Sequence, residues 1–107
     1  MEQRETVSKE RSRLDERFKE PKMHLVYILN DDFTTFEFVV FLMMEVFLKS
    51  EEDAWGIAEA THTRGKSLVG RYTCDMAHTK VNKATAMARE NGFPLSFKII
   101  PEDQHAK

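Results

Sequence analysis

Leu29-Asn30-Asp31-Asp32-Phe33-Thr34-Thr35, continued without a break by the apolar residues 36–48, is the stretch from which the rest of this chain reads outward. An apolar strand ends in three consecutive Asx residues, and the chain restarts as a strongly apolar helix. Asn, Asp and Thr cap helix N-termini because their short side-chain oxygens accept the orphan backbone N–H groups. One cap needs one such residue, whereas positions 30–35 hold five: Asn30, Asp31, Asp32, Thr34 and Thr35. The surplus points to a junction that does more than start a helix. Two carboxylates at the mouth of an apolar element suit a cation that carries a hydrophobic body.

Upstream, residues 24–29 are apolar and β-branched, lie after Pro21, and read as a buried strand. Downstream, residues 36–48 contain no Gly or Pro, so the helix is expected to run their full length. Phe36, Val39, Val40, Met43 and Phe47 form one stripe, and Phe38, Phe41, Leu42 and Leu48 fill most of the remainder. A helix apolar nearly all round is buried or faces a partner. Ser50 followed by Glu51, Glu52 and Asp53 signals a new N-cap. The second helix is expected over 51–63, with Trp55, Ile57, Ala58 and Thr61 inward, and it stops at Arg64-Gly65. A strand over 66–72 leads to Thr73, which caps a third helix over 74–91. Its inner stripe is Met76, Val81, Ala84 and Met87 or Ala88, with Lys80, Lys83, Arg89 and Glu90 outside. After Pro94 a last strand covers 95–100. The fold class is α+β: a three-stranded antiparallel sheet with three helices on one face, in the order β-α-α-β-α-β.

The 107 residues make one small domain. Residues 1–22 carry thirteen charges and few apolar side chains, and read as a flexible charged N-terminal extension. That extension is either a solvated tail or a mobile arm for a partner. Residues 23–103 form the core domain and 104–107 a C-terminal tail. Sixteen basic and eighteen acidic residues leave a net charge of −2, which argues against nucleic acid as a partner. The single cysteine, Cys74, permits no intramolecular disulfide. No apolar run reaches membrane-spanning length, because Glu37 and Glu45 interrupt the longest one. The expected localisation is cytoplasmic, with no membrane partner.

Chemistry-bearing patterns are few. Cys74 and His78 share a helix face at i, i+4, but two further ligands at metal-binding spacing are missing, so no metal or other cofactor is expected. The chain has no Gly-rich phosphate loop, no nucleophile motif and no HExxH. Asp31 and Asp32 are the one conceivable acid–base pair, yet adjacent carboxylates on a turn usually point apart, and a catalytic residue is not expected. His62, near the end of the second helix, is open to two readings: a C-terminal histidine interacting with the helix dipole, or a residue turned towards the Asx cluster.

Taken together, Leu29-Asn30-Asp31-Asp32-Phe33-Thr34, Glu37-Phe38-Val39, His62-Thr63-Arg64-Gly65-Lys66, Thr79-Lys80-Val81 and Ala88-Arg89-Glu90-Asn91-Gly92-Phe93-Pro94-Leu95 stand in an order that resembles the ClpS-type adaptors. The resemblance spans about residues 24–100. It implies an adaptor of the N-end rule pathway, which feeds proteins with a destabilising first residue (Phe, Tyr, Trp or Leu) to a Clp-type AAA+ unfoldase, of the ClpA or ClpC class, and its ClpP peptidase. Carried over residue by residue, it implies that Asn30, Asp31 and His62 surround the substrate's free α-ammonium, with Asp32 supporting the turn and the local field. It implies an apolar pocket at Thr34, Phe36, Val39, Ala58, Thr61 and Leu95, and unfoldase docking through Asp75 and Lys80. The N-terminal extension corresponds to the segment that the unfoldase engages.

Three positions depart from the family's usual residues. Phe36 and Ala58 stand where the family commonly has Met, and Thr35 stands where it commonly has Pro. One wall of the slot has gained a ring and the opposite wall has lost volume, which implies an altered preference among the four first residues. The alternative reading is a non-catalytic protein–protein interaction module that uses the apolar first helix without recognising an α-amine.

Overall fold

A computed structural model describes residues 22–105, and the first twenty-one residues of the charged extension lie outside it. Three strands, β1 (Met23–Leu29), β2 (Lys66–Thr73) and β3 (Ser96–Pro101), form an antiparallel sheet in the order β2-β1-β3. Three helices, α1 (Phe36–Glu45), α2 (Glu51–Arg64) and α3 (Cys74–Glu90), follow the expected β-α-α-β-α-β order. A one-turn helix, α4 (Glu102–His105), is an addition that takes up part of the expected tail. Arg71 on β2 reaches Glu102 at 2.7 Å, and Lys22 reaches Asp103 at 3.3 Å.

The apolar run at 25–28 forms the central strand, paired with β2 on one edge and β3 on the other, with Leu25, Val26 and Ile28 buried. Val26 and Ile28 join one core with Val39, Val40, Leu42 and Met43 of α1, Ala54 and Ala58 of α2, and Ala77, Ala84 and Ala88 of α3. The three alanines, with the partly buried Val81 between them, form a narrow stripe that lets α3 approach the sheet closely. Met76 was expected in this stripe but is exposed, and Ala77 takes its place. Trp55 likewise lies outside the core, where Ala54 replaces it. A β-bulge leaves Val69 between the pairs Val26–Gly70 and Tyr27–Leu68. Gly70 leaves room for the Tyr72 ring, whose hydroxyl would lie 2.7 Å from a Cβ at that position.

The first helix is shorter than its apolar run suggests. It ends at Glu45, and the chain turns through Leu48 at φ 56°, while Phe47 and Lys49 donate to the carbonyls of Leu42 and Met43. Lys80 of α3 donates to the Val46 carbonyl at 3.1 Å, satisfying one of the open acceptors at the helix end. Phe47 then turns inward between Tyr72 and Phe97, while Leu48, Phe41 and Met44 face solvent.

Candidate functional site

The site grows from a single backbone connection. Leu29 at the end of β1 pairs with Lys66 at the start of β2, so the residues just beyond each strand also meet. There the Asn30 N–H donates to the Gly65 carbonyl at 2.9 Å. Gly65 ends α2 in the left-handed region at φ 89°, a conformation glycine adopts without steric cost, and its own N–H returns to Thr61. This strand-to-cap contact brings the Asn-Asp-Asp segment beside the last turn of α2, and with it His62. Asn30 and Gly65, 35 positions apart, become neighbours through sheet register alone.

Asp31 organises the turn. Its Oδ1 accepts from the Phe33 N–H at 2.8 Å and from the Thr34 N–H at 2.7 Å, and its Oδ2 accepts from the Thr34 hydroxyl at 2.7 Å. Partial burial pushes its carboxyl upward. The Thr34 hydroxyl, the two backbone donors and the positive charge of Arg89 together outweigh that push and hold Asp31 below the ordinary carboxylate range. Asp32 is exposed and makes no hydrogen bond among the described residues. The turn-supporting position expected for Asp32 is therefore taken by Asp31, and the two carboxylates differ in kind. Thr35 then caps α1, its hydroxyl accepting from the Phe38 N–H at 3.2 Å.

Between α1 and α2 lies a cavity of about 330 Å³. Asn30, Asp31, Asp32 and His62 line its mouth, and Thr34, Phe36, Val39, Ala58 and Thr61 its body. The three residues expected around the α-ammonium, Asp32 beside them, and five of the six expected pocket residues are thus brought together. Leu95 is the exception: it is 1% exposed, belongs to the core and is not part of the lining. The side chains of Asn30 and His62 make no hydrogen bond among the described residues and keep their acceptors open. Thr61 is buried, and its hydroxyl donates to the Ile57 carbonyl at 2.7 Å, so it offers the cavity no free donor. The result is an acceptor-lined, negatively charged rim over an apolar interior, of a size suited to a small ligand.

The chain matches the family described as "ATP-dependent Clp protease adaptor protein ClpS" over residues 19–98. The chain belongs to the ClpS family. It is 43% identical to the ATP-dependent Clp protease adapter protein ClpS of Acetivibrio thermocellus over 97 residues, covering 91% of this chain and 96% of that one. It is 45% identical to the ClpS of Lawsonia intracellularis over 91 residues, covering 85% and 84%. Its fold is similar to that of Agrobacterium tumefaciens ClpS2 bound to L-phenylalaninamide, with a TM-score of 0.73 and 38% identity over 77% of this chain and 99% of that one. The chain is therefore an adaptor of the Clp protease.

Within this ClpS protein the two expected docking residues are placed differently. Asp75 is exposed in the first turn of α3. Lys80 is half-buried, bonded to Val46 and lying 5.7 Å from the centre of the Tyr72 ring, so it has structural work to do on α1. Cys74 Sγ and His78 Nδ1 lie 3.6 Å apart, and His78 Nδ1 is 2.9 Å from the Cys74 carbonyl. Among the described residues no three His, Cys, Asp or Glu side chains are grouped to hold a metal, and no helix is long and apolar enough to cross a membrane.

Two residues that support the site carried no such signal in the sequence. Arg89, expected to point outward, folds back from α3 and donates to the carbonyls of Phe93 and Leu95 at 2.9 and 2.8 Å. It clasps the loop after α3 and contributes its charge to Asp31. Trp55 packs its ring against Phe36, with centroids 4.8 Å apart. Neither contact follows from local spacing, since each depends on how separate elements meet.

Proposed function

We propose that this adaptor binds the free α-ammonium and the bulky hydrophobic first side chain (Phe, Tyr, Trp or Leu) of N-degron substrates and delivers them to a Clp-type AAA+ unfoldase. The observation that carries the proposal is the acceptor-lined mouth opening directly onto an apolar body. An ammonium has three N–H donors and no acceptor. Three acceptors stand open for it: the Asn30 carbonyl oxygen, an unprotonated His62 nitrogen, and the one lone pair of Asp31 not already engaged by Phe33 and Thr34. The phenylalaninamide bound by the Agrobacterium relative has the same two parts, a free α-amine and an apolar side chain with its carboxylate blocked. Charge-assisted bonds of about 1.5–3 kcal/mol each, with a similar gain from burying one side chain, give roughly micromolar affinity after the entropic cost of association.

Delivery is assigned to an unfoldase of the ClpA or ClpC class with its ClpP peptidase, acting in the cytoplasm. Asp75 is the free docking residue, and the 1–22 extension is the arm that the unfoldase engages. Residues 23–103 act as the folded adaptor body. The module reading draws support from the exposed outer face of α1, where Phe41 and Met44 lie at i, i+3. Fluorescence anisotropy with a Phe-initiated peptide separates the readings. The adaptor binds it and loses at least a hundredfold in affinity when the peptide's α-amine is acetylated. Equal binding of the free and acetylated peptides would instead assign the recognition to a face that ignores the amine.

A further inference from the structure

We infer that Trp55 is a specificity-determining residue, which holds the Phe36 ring as an aromatic wall of the cavity and biases the site towards aromatic first residues over leucine. The inference rests on the amine-and-side-chain reading above and adds a residue outside the cavity lining. Trp55 is 49% exposed, so burial in the core does not explain its position. Its ring lies 4.8 Å from that of Phe36 at an interplanar angle of 50°, within the range of favourable tilted aromatic pairs.

Phe36 is the first residue of α1 and only partly buried, so its own helix restrains its ring little. Trp55 supplies that restraint from α2. One turn further along α2 stands Ala58, 3% exposed, which offers the cavity only a methyl group. Phe36 and Ala58 line the same cavity, and a methyl group is too short to brace the ring across it, so the bracing falls to the Trp55 contact, which sets how wide the cavity stays. A first residue seated between Phe36 and Ala58 meets a ring on one side and a methyl on the other. An aromatic side chain gains a ring-to-ring contact there that leucine lacks, worth roughly two- to tenfold in affinity.

The test compares Phe-, Trp- and Leu-initiated peptides by anisotropy on the full chain and on Trp55→Ala and Trp55→Phe. The unsubstituted protein is expected to prefer Phe and Trp over Leu. In Trp55→Ala the Leu-to-Phe ratio of Kd values falls roughly threefold, and Trp55→Phe restores most of it. An unchanged ratio, or equal weakening of all three peptides, overturns the inference while leaving the amine-and-side-chain reading intact. Failure of all three to bind the unsubstituted protein overturns both. A second readout uses Trp55 as the chain's single tryptophan. Saturation with an unlabelled Leu-initiated peptide is expected to shift its emission, and unchanged emission at saturation overturns the link between Trp55 and the wall.

Discussion

Two strand-to-helix junctions in this protein do the same topological job with different amounts of chain. From β2 to α3 there is no intervening residue: Thr73 ends the strand, and its hydroxyl caps the helix by accepting from the Met76 N–H at 3.4 Å. From β1 to α1 the chain spends six residues, 30–35, and the cap is again a single threonine, Thr35. The five residues before Thr35 are therefore not needed to start a helix. Three of them, Asn30, Asp31 and Asp32, line the cavity mouth, and Thr34 lines its body. Comparing the junctions separates what capping requires from what lining the cavity adds.

The strongest way to break the comparison is at Asp31. Asp31→Ala removes three internal bonds and a charge, and is expected to lower peptide affinity about a hundredfold and stability by about 1–2 kcal/mol. Asp31→Asn keeps an oxygen for the Phe33 and Thr34 N–H groups, so it should retain most of the stability while losing most of the affinity. Asp32→Ala removes an exposed carboxylate without a hydrogen bond. Its stability should stay within about 0.5 kcal/mol, with affinity reduced only two- to threefold through the screened field. Titration calorimetry and chemical denaturation on the three variants check this order. Unchanged affinity in Asp31→Asn would reduce the longer junction to an elaborate cap.

His62 probes the same mouth with a smaller effect. Its ring lines the cavity beside Asn30 and makes no hydrogen bond among the described residues, so His62→Ala removes an open acceptor and should lower affinity for the Phe-initiated peptide roughly five- to tenfold while leaving stability within about 0.5 kcal/mol. Unchanged affinity in that variant would remove His62 from the site. Acid acts on the turn through Asp31: its folded-state carboxyl is held below the ordinary value, so its stabilising contribution is complete above the ordinary carboxylate range and disappears only as pH falls through the depressed value.

Much of this was legible because it is local. The strand at 24–29, the caps Ser50 and Thr73, and the Gly65 stop all follow from residue chemistry within one turn, whereas Thr35 was one of five candidate caps at its junction. The excess of Asx residues announced a site for the same reason. What escaped was decided by contacts between elements. The apolar run to Leu48 hid the end of α1, because no glycine marks it and the left-handed position falls to Leu48, stabilised from outside by Lys80. Arg89 looked like a surface charge until the 93–95 loop supplied carbonyls for it. Leu95 followed the family pattern into the pocket, yet its side chain here is spent on the core.

The two capping threonines give the most direct test of what the junctions share. Thr35→Ala and Thr73→Ala each delete one capping acceptor, so each should cost about 1 kcal/mol of stability, or a Tm shift of roughly 4–8 °C. Their effects on the Phe-initiated peptide should then diverge. Thr73 lies at the start of α3, away from the cavity lining, and its loss should leave affinity within about twofold. Thr35 follows Thr34 and precedes Phe36, both of which line the cavity, so loosening its cap frees the first turn of α1 and should weaken binding several-fold. Equal stability losses with unequal binding losses would show that the two caps are interchangeable as helix starts and that only one also serves recognition. Equal effects on binding would mean that the peptide senses global stability rather than the geometry of residues 30–36.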